Sequence, residues 1–276
     1  MADSTLIAWT DHTFNPWMGC HKVSDGCKHC YAETLVKNRM GKPDLWGATG
    51  IRQRTKGPWA QVSKWNREAR ARRRPEMVFC ASLADVFEDY PGPNEWRADV
   101  WELVRECEWL DFQMLTKRPE NIARMLPSDW GAGYPNVWLG TSIEDARVVD
   151  RLRPLTQVPA VVHFVSYEPA IGPFAEAFND SPYASGIEWM IVGGESGPGH
   201  RKLDPRWAED MQAVCSNLDI AFFFKQDSGH RTELRIDLLG DVYRDYPEHW
   251  VRPNELSKRI DTPTPKPALS MPKSLF

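Results

Sequence analysis

The sequence predicts an α/β fold built on a parallel sheet, and three observations predict it. From about residue 76, short β-branched and aromatic runs alternate with stretches of helical spacing. The runs are apolar on both faces, as strands covered by helices are. Polar residues recur directly after them, where open sheets and barrels build their sites. Two architectures fit this alternation: an open, doubly wound sheet, or a full or partial barrel.

The strand candidates are 77–81, 112–116, 137–141, 161–166, 189–192 and 221–224. The helix candidates are 94–108, 119–125, 144–152, 174–178 and 205–216. Ser142 and Asp204 have the chemistry of N-caps, and Pro205 suits a first helical position. The polar groups after the runs are Ser82 and Asp85; Thr116, Lys117 and Arg118; Thr141, Ser142 and Glu144; Ser166 and Glu168; Gly193, Gly194, Glu195 and Ser196; and Lys225 with Gln226. Residues 38–75 lack clean periodicity. They predict an irregular basic insertion that ends in a helix over about 62–74. Residues 1–250 are expected to form one domain, and the proline-rich stretch 251–276 an extended tail.

Composition narrows the class. With 276 residues and 42% hydrophobic content, the chain can bury a sizeable core and is not a disordered one. No apolar run of membrane-spanning length and no leader-like start occur, so no membrane association and a cytoplasmic location are expected. Six cysteines are too few for a disulfide scaffold. The net charge of −4 excludes a uniformly basic nucleic-acid binder, but the charge is uneven. Residues 1–75 hold 14 Lys/Arg against 6 Asp/Glu, and the remainder holds 20 against 32.

The cysteines are uneven too. Cys20, Cys27 and Cys30 fall within eleven residues, in a loop before a helix expected to start near Lys28. A structural zinc site would need a fourth ligand from His21, His29 or a distant residue such as Cys80. An iron–sulfur cluster on three thiolates needs none and leaves one iron open to an exogenous ligand. A metal-dependent barrel hydrolase fits poorly, because the seven histidines do not line the strand ends.

Cys27-Lys28-His29-Cys30 resembles the second half of the radical S-adenosylmethionine (radical SAM) motif, Cys-x3-Cys-x-aromatic-Cys. The first gap departs from it, with six residues between Cys20 and Cys27. Over nearly its whole length the chain resembles a phage-associated radical-SAM-like family with a three-cysteine motif. The resemblance rests on Thr13-Phe14-Asn15-Pro16-Trp17, Gly19-Cys20-His21-Lys22-Val23-Ser24, Gly26-Cys27 to Glu33, Thr116-Lys117-Arg118-Pro119, Val137 to Ser142, Ser166-Tyr167-Glu168-Pro169, Ile191 to Gly197 and Phe223-Phe224-Lys225-Gln226. It implies a partial (β/α) barrel of the radical SAM type. It also implies a 4Fe–4S cluster on Cys20, Cys27 and Cys30, with S-adenosylmethionine (SAM) as second cofactor and a loose kinship with DNA-repair enzymes such as spore photoproduct lyase. An external electron donor and a three-cysteine-motif partner protein come with it.

Within that resemblance, His29 occupies the position whose ring lies over the adenine. Ser82 and Asp85 are nearest in order to the usual ammonium site. Ser166 and Glu168 are candidates for the ribose hydroxyls or the methionine carboxylate. Lys117 is a candidate for an anionic group, and Ser142, Gly194 and Glu195 for other cofactor contacts. On the substrate side stand Lys225, Gln226, Arg52, Arg54, Trp59 and Trp65. The last four belong to a basic, tryptophan-bearing stretch that also includes Arg67, Arg70 and Arg72 to Arg74. Phosphates attract such cations, and unpaired bases stack on such rings, so nucleic acid is the expected partner. A solvated face paired with the acidic remainder is the alternative for this stretch. For the protein, the alternative is a zinc- or cluster-containing nucleic-acid-binding protein without radical catalysis.

Overall fold

The computed structural model describes residues 5, 7–232 and 235–247. The expected tail at 251–276 lies outside the described residues.

Chain order generates the sheet. β1 (His12–Phe14) lies at one edge, followed by β4 (Glu76–Cys80), β5 (Leu110–Thr116), β6 (Val137–Ser142), β7 (His163–Tyr167), β8 (Trp189–Gly193) and β9 (Ala221–Gln226). All six neighbouring pairs are parallel. The strand order never reverses, whereas a doubly wound sheet reverses at its switch point. The seven strands curl into a half-barrel, and the partial barrel is the architecture found. A hairpin of β2 (Trp17–Met18) and β3 (Gln53–Arg54) pins the root of the excursion between them.

The six strands expected from sequence all form, within a residue or two of their expected ends. β1 is an addition to them. It brings a correction to residues 38–75, which are more than an insertion. After α1 (Tyr31–Thr34) and a π-turn over Leu35–Arg39, the segment supplies α2 (Gly57–Arg72), the crossover helix between β1 and β4. α2 starts five residues earlier than expected because Pro58 suits the first turn. Its buried residues Val62, Trp65 and Ala69 repeat at helical spacing.

The other crossover helices are α3 (Pro91–Glu106), α4 (Ile122–Met125), α5 (Leu152–Thr156), α6 (Ala175–Asn179) and α7 (Pro205–Asn217). Asp204 caps α7 through the Arg206 N–H, as expected. Ser142 is not a cap; it ends β6. Asp145 caps the following turn instead, accepting from the Arg147 N–H at 2.9 Å.

Strand alternation divides the core into two layers. Val78, Phe112, Met114, Leu139, Val165, Val192 and Phe224 face the helices. Met77, Phe79, Trp138, Phe164, Trp189, Ile191 and Phe223 face the concave side with Trp9. Trp189 is the hub of that inner layer, with ring centroids 5.2–6.1 Å from Trp9, Trp138, Phe164, Phe223 and Tyr246. Aromatic rings therefore dominate the concave side, where buried Gln113 bonds to the Trp9 carbonyl, and polar side chains gather on the rim at the C-terminal strand ends. No helix among the described residues is long and apolar enough to cross a membrane.

Candidate active site at the C-terminal strand ends

The loop that leaves β1 is stitched over this rim. Asn15 accepts from the Leu83 N–H at 2.7 Å and donates to Ser82 Oγ at 3.1 Å. Further along, Ser24 donates to Glu144 at 2.8 Å, Arg201 donates to the Asp25 carbonyl at 3.0 Å, and the Tyr31 hydroxyl donates to the Ser82 carbonyl at 3.1 Å. The cysteine loop is thus tied to the ends of β4, β6 and β8. Gly26 is required at its closest approach, because a Cβ there would collide with the Glu144 side chain.

The six cysteines separate by environment. Cys80, Cys107 and Cys215 are core residues, at most 2% exposed. Cys20, Cys27 and Cys30 are partly exposed, and all six are free thiols. Cys30 is the residue before α1, and that helix, not one starting near Lys28, opens at Tyr31. Burial pushes the Cys30 thiol up, while the backbone N–H groups of Ala32 and Glu33 pull against it. Burial, then the nearby Asp85 carboxylate, pushes Cys20 up to about 12. Arg118 opposes this, donating to Cys20 Sγ at 3.7 Å.

Among the described residues, no three His, Cys, Asp or Glu side chains surround a single point as ligands of one metal ion would. The four-ligand zinc arrangement is therefore not assembled. A 4Fe–4S cube makes a different demand: three thiolates, each reaching its own corner, with the fourth iron open. Three partly exposed thiols on one loop over the rim fit that donor set, with Cys30 at a helix N-terminus and Cys20 beside a guanidinium.

Each carboxylate on the rim is matched by a cation. Glu144 meets Arg151 at 2.9 Å and Lys117 at 3.3 Å. Glu168 meets Lys225 at 2.8 Å and accepts from Ser166 at 3.3 Å. Glu195 is gripped by Arg201; burial opposes its ionisation, but that grip and the nearby His29 hold it below the usual carboxylate range. Gly194 and Gln226 exchange hydrogen bonds at 2.9 and 3.0 Å, and a Cβ on Gly194 would collide with Ser228. His29 reaches Gly199 in the loop after β8.

The structure brings His29, Ser82, Asp85, Lys117, Ser142, Ser166, Glu168, Gly194, Glu195, Lys225 and Gln226 to one rim with the three cysteines. Asp85 is already fully engaged there. It accepts from the Phe87 and Lys117 N–H groups, from Thr116 Oγ1 and from Arg118, which suits a structural carboxylate better than an ammonium site.

Four expected substrate residues do not join the rim as ligand contacts. Arg52 is buried, bonded to Glu88 and to the carbonyls of Leu45, Gly47 and Gly50. Trp65 is 5% exposed and stacks on His12 at 4.2 Å, so it presents no face to a base. Trp59 packs edge-on against Phe14 at 5.3 Å, with Arg54 over its ring. Arg54 pairs with Asp99 at 2.7 Å. The tryptophans turn inward because α2 needs an apolar face. Sequence reasoning misses Glu88, which pairs with Arg52, and Arg201, which grips Glu195 in its own loop and reaches the cysteine loop at the Asp25 carbonyl; only the placement of Glu88 three residues after Asp85 hints at its position on the rim.

Residues 4–257 match the model of a family described as "Protein of unknown function (DUF5131)", and the chain belongs to that family. No curated protein matches it. Among solved structures it is similar to a spore photoproduct lyase variant with bound AdoMet and dinucleoside spore photoproduct, at 11% identity and a TM-score of 0.44 over 74% of this chain. It is also similar to spore photoproduct lyase complexed with dinucleoside spore photoproduct, at 12% identity and a TM-score of 0.44 over 72% of this chain. A further variant of that enzyme matches at 12% identity and a TM-score of 0.48, over 78% of this chain and 75% of its own. The chain spans 61% and 58% of the length of the first two.

Proposed function

We propose that this DUF5131 member is a radical SAM enzyme acting on DNA or a nucleotide. One observation carries the reading: three partly exposed thiols sit on a loop fastened across the C-terminal ends of a parallel half-barrel. Cys20, Cys27 and Cys30 would hold the cluster and leave one iron for the methionine end of SAM. When bound, the reduced cluster supplies the electron that splits SAM into methionine and a 5′-deoxyadenosyl radical, which takes a hydrogen atom from the substrate. The electron comes from an external donor.

The chain's own residues bind and orient. Lys117 and Lys225 present ammonium groups on the rim beside Glu144 and Glu168, and an incoming carboxylate or phosphate can compete for them. Glu168 and Ser166, hydrogen-bonded to each other, offer acceptors and a hydroxyl suited to ribose. His29, beside Glu195, offers a flat ring at the edge of the same loop. The aromatic inner layer packs beneath these groups on the concave side of the sheet.

Support for a polyanionic substrate comes from the outer face of α2. Arg67 and Arg70 on α2, and Arg73 and Arg74 just past its end, are exposed and make no ion pair among the described residues. Ala60 and Ala71 lie on the same outward face and leave it unobstructed. The arginine-rich end of α2 adjoins the start of β4, at the opposite end of the strands from the cysteine loop. A nucleic acid held there would lie along the flank and reach the mouth with a different part of its length.

The test is SAM cleavage. Reconstituted, chemically reduced protein is expected to release 5′-deoxyadenosine, and protein lacking the three thiols is not. Release that does not depend on those thiols would overturn the reading.

A further inference from the structure

We propose that Arg118 is a positioning residue dedicated to Cys20, which sets that ligand apart from Cys27 and Cys30 and raises the reduction potential of the cluster. The inference rests on the reading of the three cysteines as cluster ligands. It begins from an asymmetry between them. Cys30 receives backbone N–H groups at the start of a helix, and among the described residues the partner of Cys27 Sγ is the Ser24 hydroxyl, at 3.9 Å. Among the described residues, Cys20 is the one of the three that faces a buried guanidinium.

That guanidinium is fixed on every side. Nη1 donates to Asp85 at 2.8 Å and to Cys20 Sγ at 3.7 Å, and Nη2 donates to the His21 carbonyl at 2.9 Å. The Arg118 backbone N–H donates to Thr116 Oγ1 at 2.9 Å. Glu88 lies 3.6 Å away, itself held by Arg52 and by His21 at 2.6 Å. One side chain therefore joins the loop after β5 to the loop after β4 and to the cysteine loop.

The electrostatics explain why a cation is needed there. Asp85 and Glu88 both lie close to Cys20, and a thiolate between two carboxylates is disfavoured. Arg118 stands between them, paired with Asp85 at 2.8 Å and with Glu88 at 3.6 Å while it reaches Cys20 Sγ. Reduction adds a further negative charge next to the same sulfur. A fixed cation hydrogen-bonded to a ligand sulfur stabilises the reduced state over the oxidised one. Lysine keeps the charge but lacks the fork that reaches Asp85, Cys20 and His21 together.

Two readouts test this in full-length protein, with Arg118→Lys and Arg118→Met beside wild type. The first needs no cluster: amide hydrogen exchange over residues 19–24. Loss of a charge-assisted hydrogen bond should speed exchange there by roughly tenfold or more in both variants. The second is the midpoint potential of the reconstituted cluster, followed by its electron-spin signal. Arg118→Met is expected to shift it negative, and Arg118→Lys to recover part of the shift without recovering loop protection. Unchanged exchange, or an unchanged potential in a loaded Arg118→Met protein, overturns the proposal. If Arg118→Met does not fold, Arg118→Lys decides, because wild-type protection of the loop in that variant contradicts the role of the fork. If the wild type takes up no cluster, the radical SAM reading falls, and the exchange measurement still decides whether Arg118 positions the loop.

Discussion

Arg52 holds Glu88 at two points, Nε to Oε2 at 2.6 Å and Nη2 to Oε1 at 2.7 Å, and neither side chain is more than 1% exposed. Arg52 also ties down the carbonyls of the 45–50 loop. The pair fastens the segment behind the cysteines to the loop after β4. Removing one partner strands a buried charge, and Arg52→Met or Glu88→Leu should each cost about 3–5 kcal/mol. Replacing both should recover part of that loss. Urea midpoints at constant slope measure it. A single substitution that leaves the midpoint unmoved would show the pair to be dispensable.

Gly26 lets the cysteine loop touch the Glu144 side chain. Gly26→Ala should push the loop away from the rim while the barrel remains folded. Expected are an unchanged far-ultraviolet circular dichroism spectrum and a several-fold fall in iron and sulfide bound on reconstitution. A variant that loads as fully as wild type would place this close approach outside the needs of the site.

His163 gives a pH signature away from the site. Burial holds its imidazole below the usual histidine range, and its Nε2–H donates to the Val158 carbonyl at 2.8 Å. The unfolded chain takes up this proton near pH ~6.5, before the folded protein does. The stability contribution is therefore fully present above that pH. It is lost as pH falls from there through the lowered folded-state value. Thermal midpoints of wild type should drop between about pH 7 and pH 5 more steeply than those of His163→Phe. Parallel curves would remove His163 as the cause.

The legible parts of this fold are those set by local patterning. β4 to β9 announce themselves because both faces are apolar, as in Phe222-Phe223-Phe224, where alternate rings enter the two core layers. β1 is hidden because it is three residues long and interrupted by Thr13. In α2 the spacing of Val62, Trp65 and Ala69 is present in the sequence, but the surrounding arginines mask it, and the tryptophans suggest stacking platforms. The cysteine loop and the polar strand ends are also readable. Pairings such as Arg118 with Cys20 and Arg52 with Glu88 depend on which loops the barrel brings together. Both join residues more than 30 positions apart, and no local pattern encodes them.

The outer face of α2 makes its own prediction. Reversing Arg67, Arg70 and Arg74 to Glu should weaken nucleic-acid binding and flatten its salt dependence, by about 0.9 in slope for each duplex phosphate that is no longer neutralised. Fluorescence anisotropy on single- and double-stranded DNA across a salt series measures it. Because this face is remote from the cysteine loop, SAM cleavage without substrate should be unaffected. An unchanged salt slope would assign these arginines to solvent.

The central claim is that Cys20, Cys27 and Cys30 hold an iron–sulfur cluster. Its most direct test is anaerobic reconstitution of wild type beside Cys20→Ala/Cys27→Ala/Cys30→Ala, with bound iron and sulfide quantified. Wild type is predicted to bind the iron and sulfide of one 4Fe–4S cluster per chain, with a reducible paramagnetic signal that changes on adding SAM, and the triple variant to bind neither. Equal loading of the two proteins, or no loading of either, would contradict it.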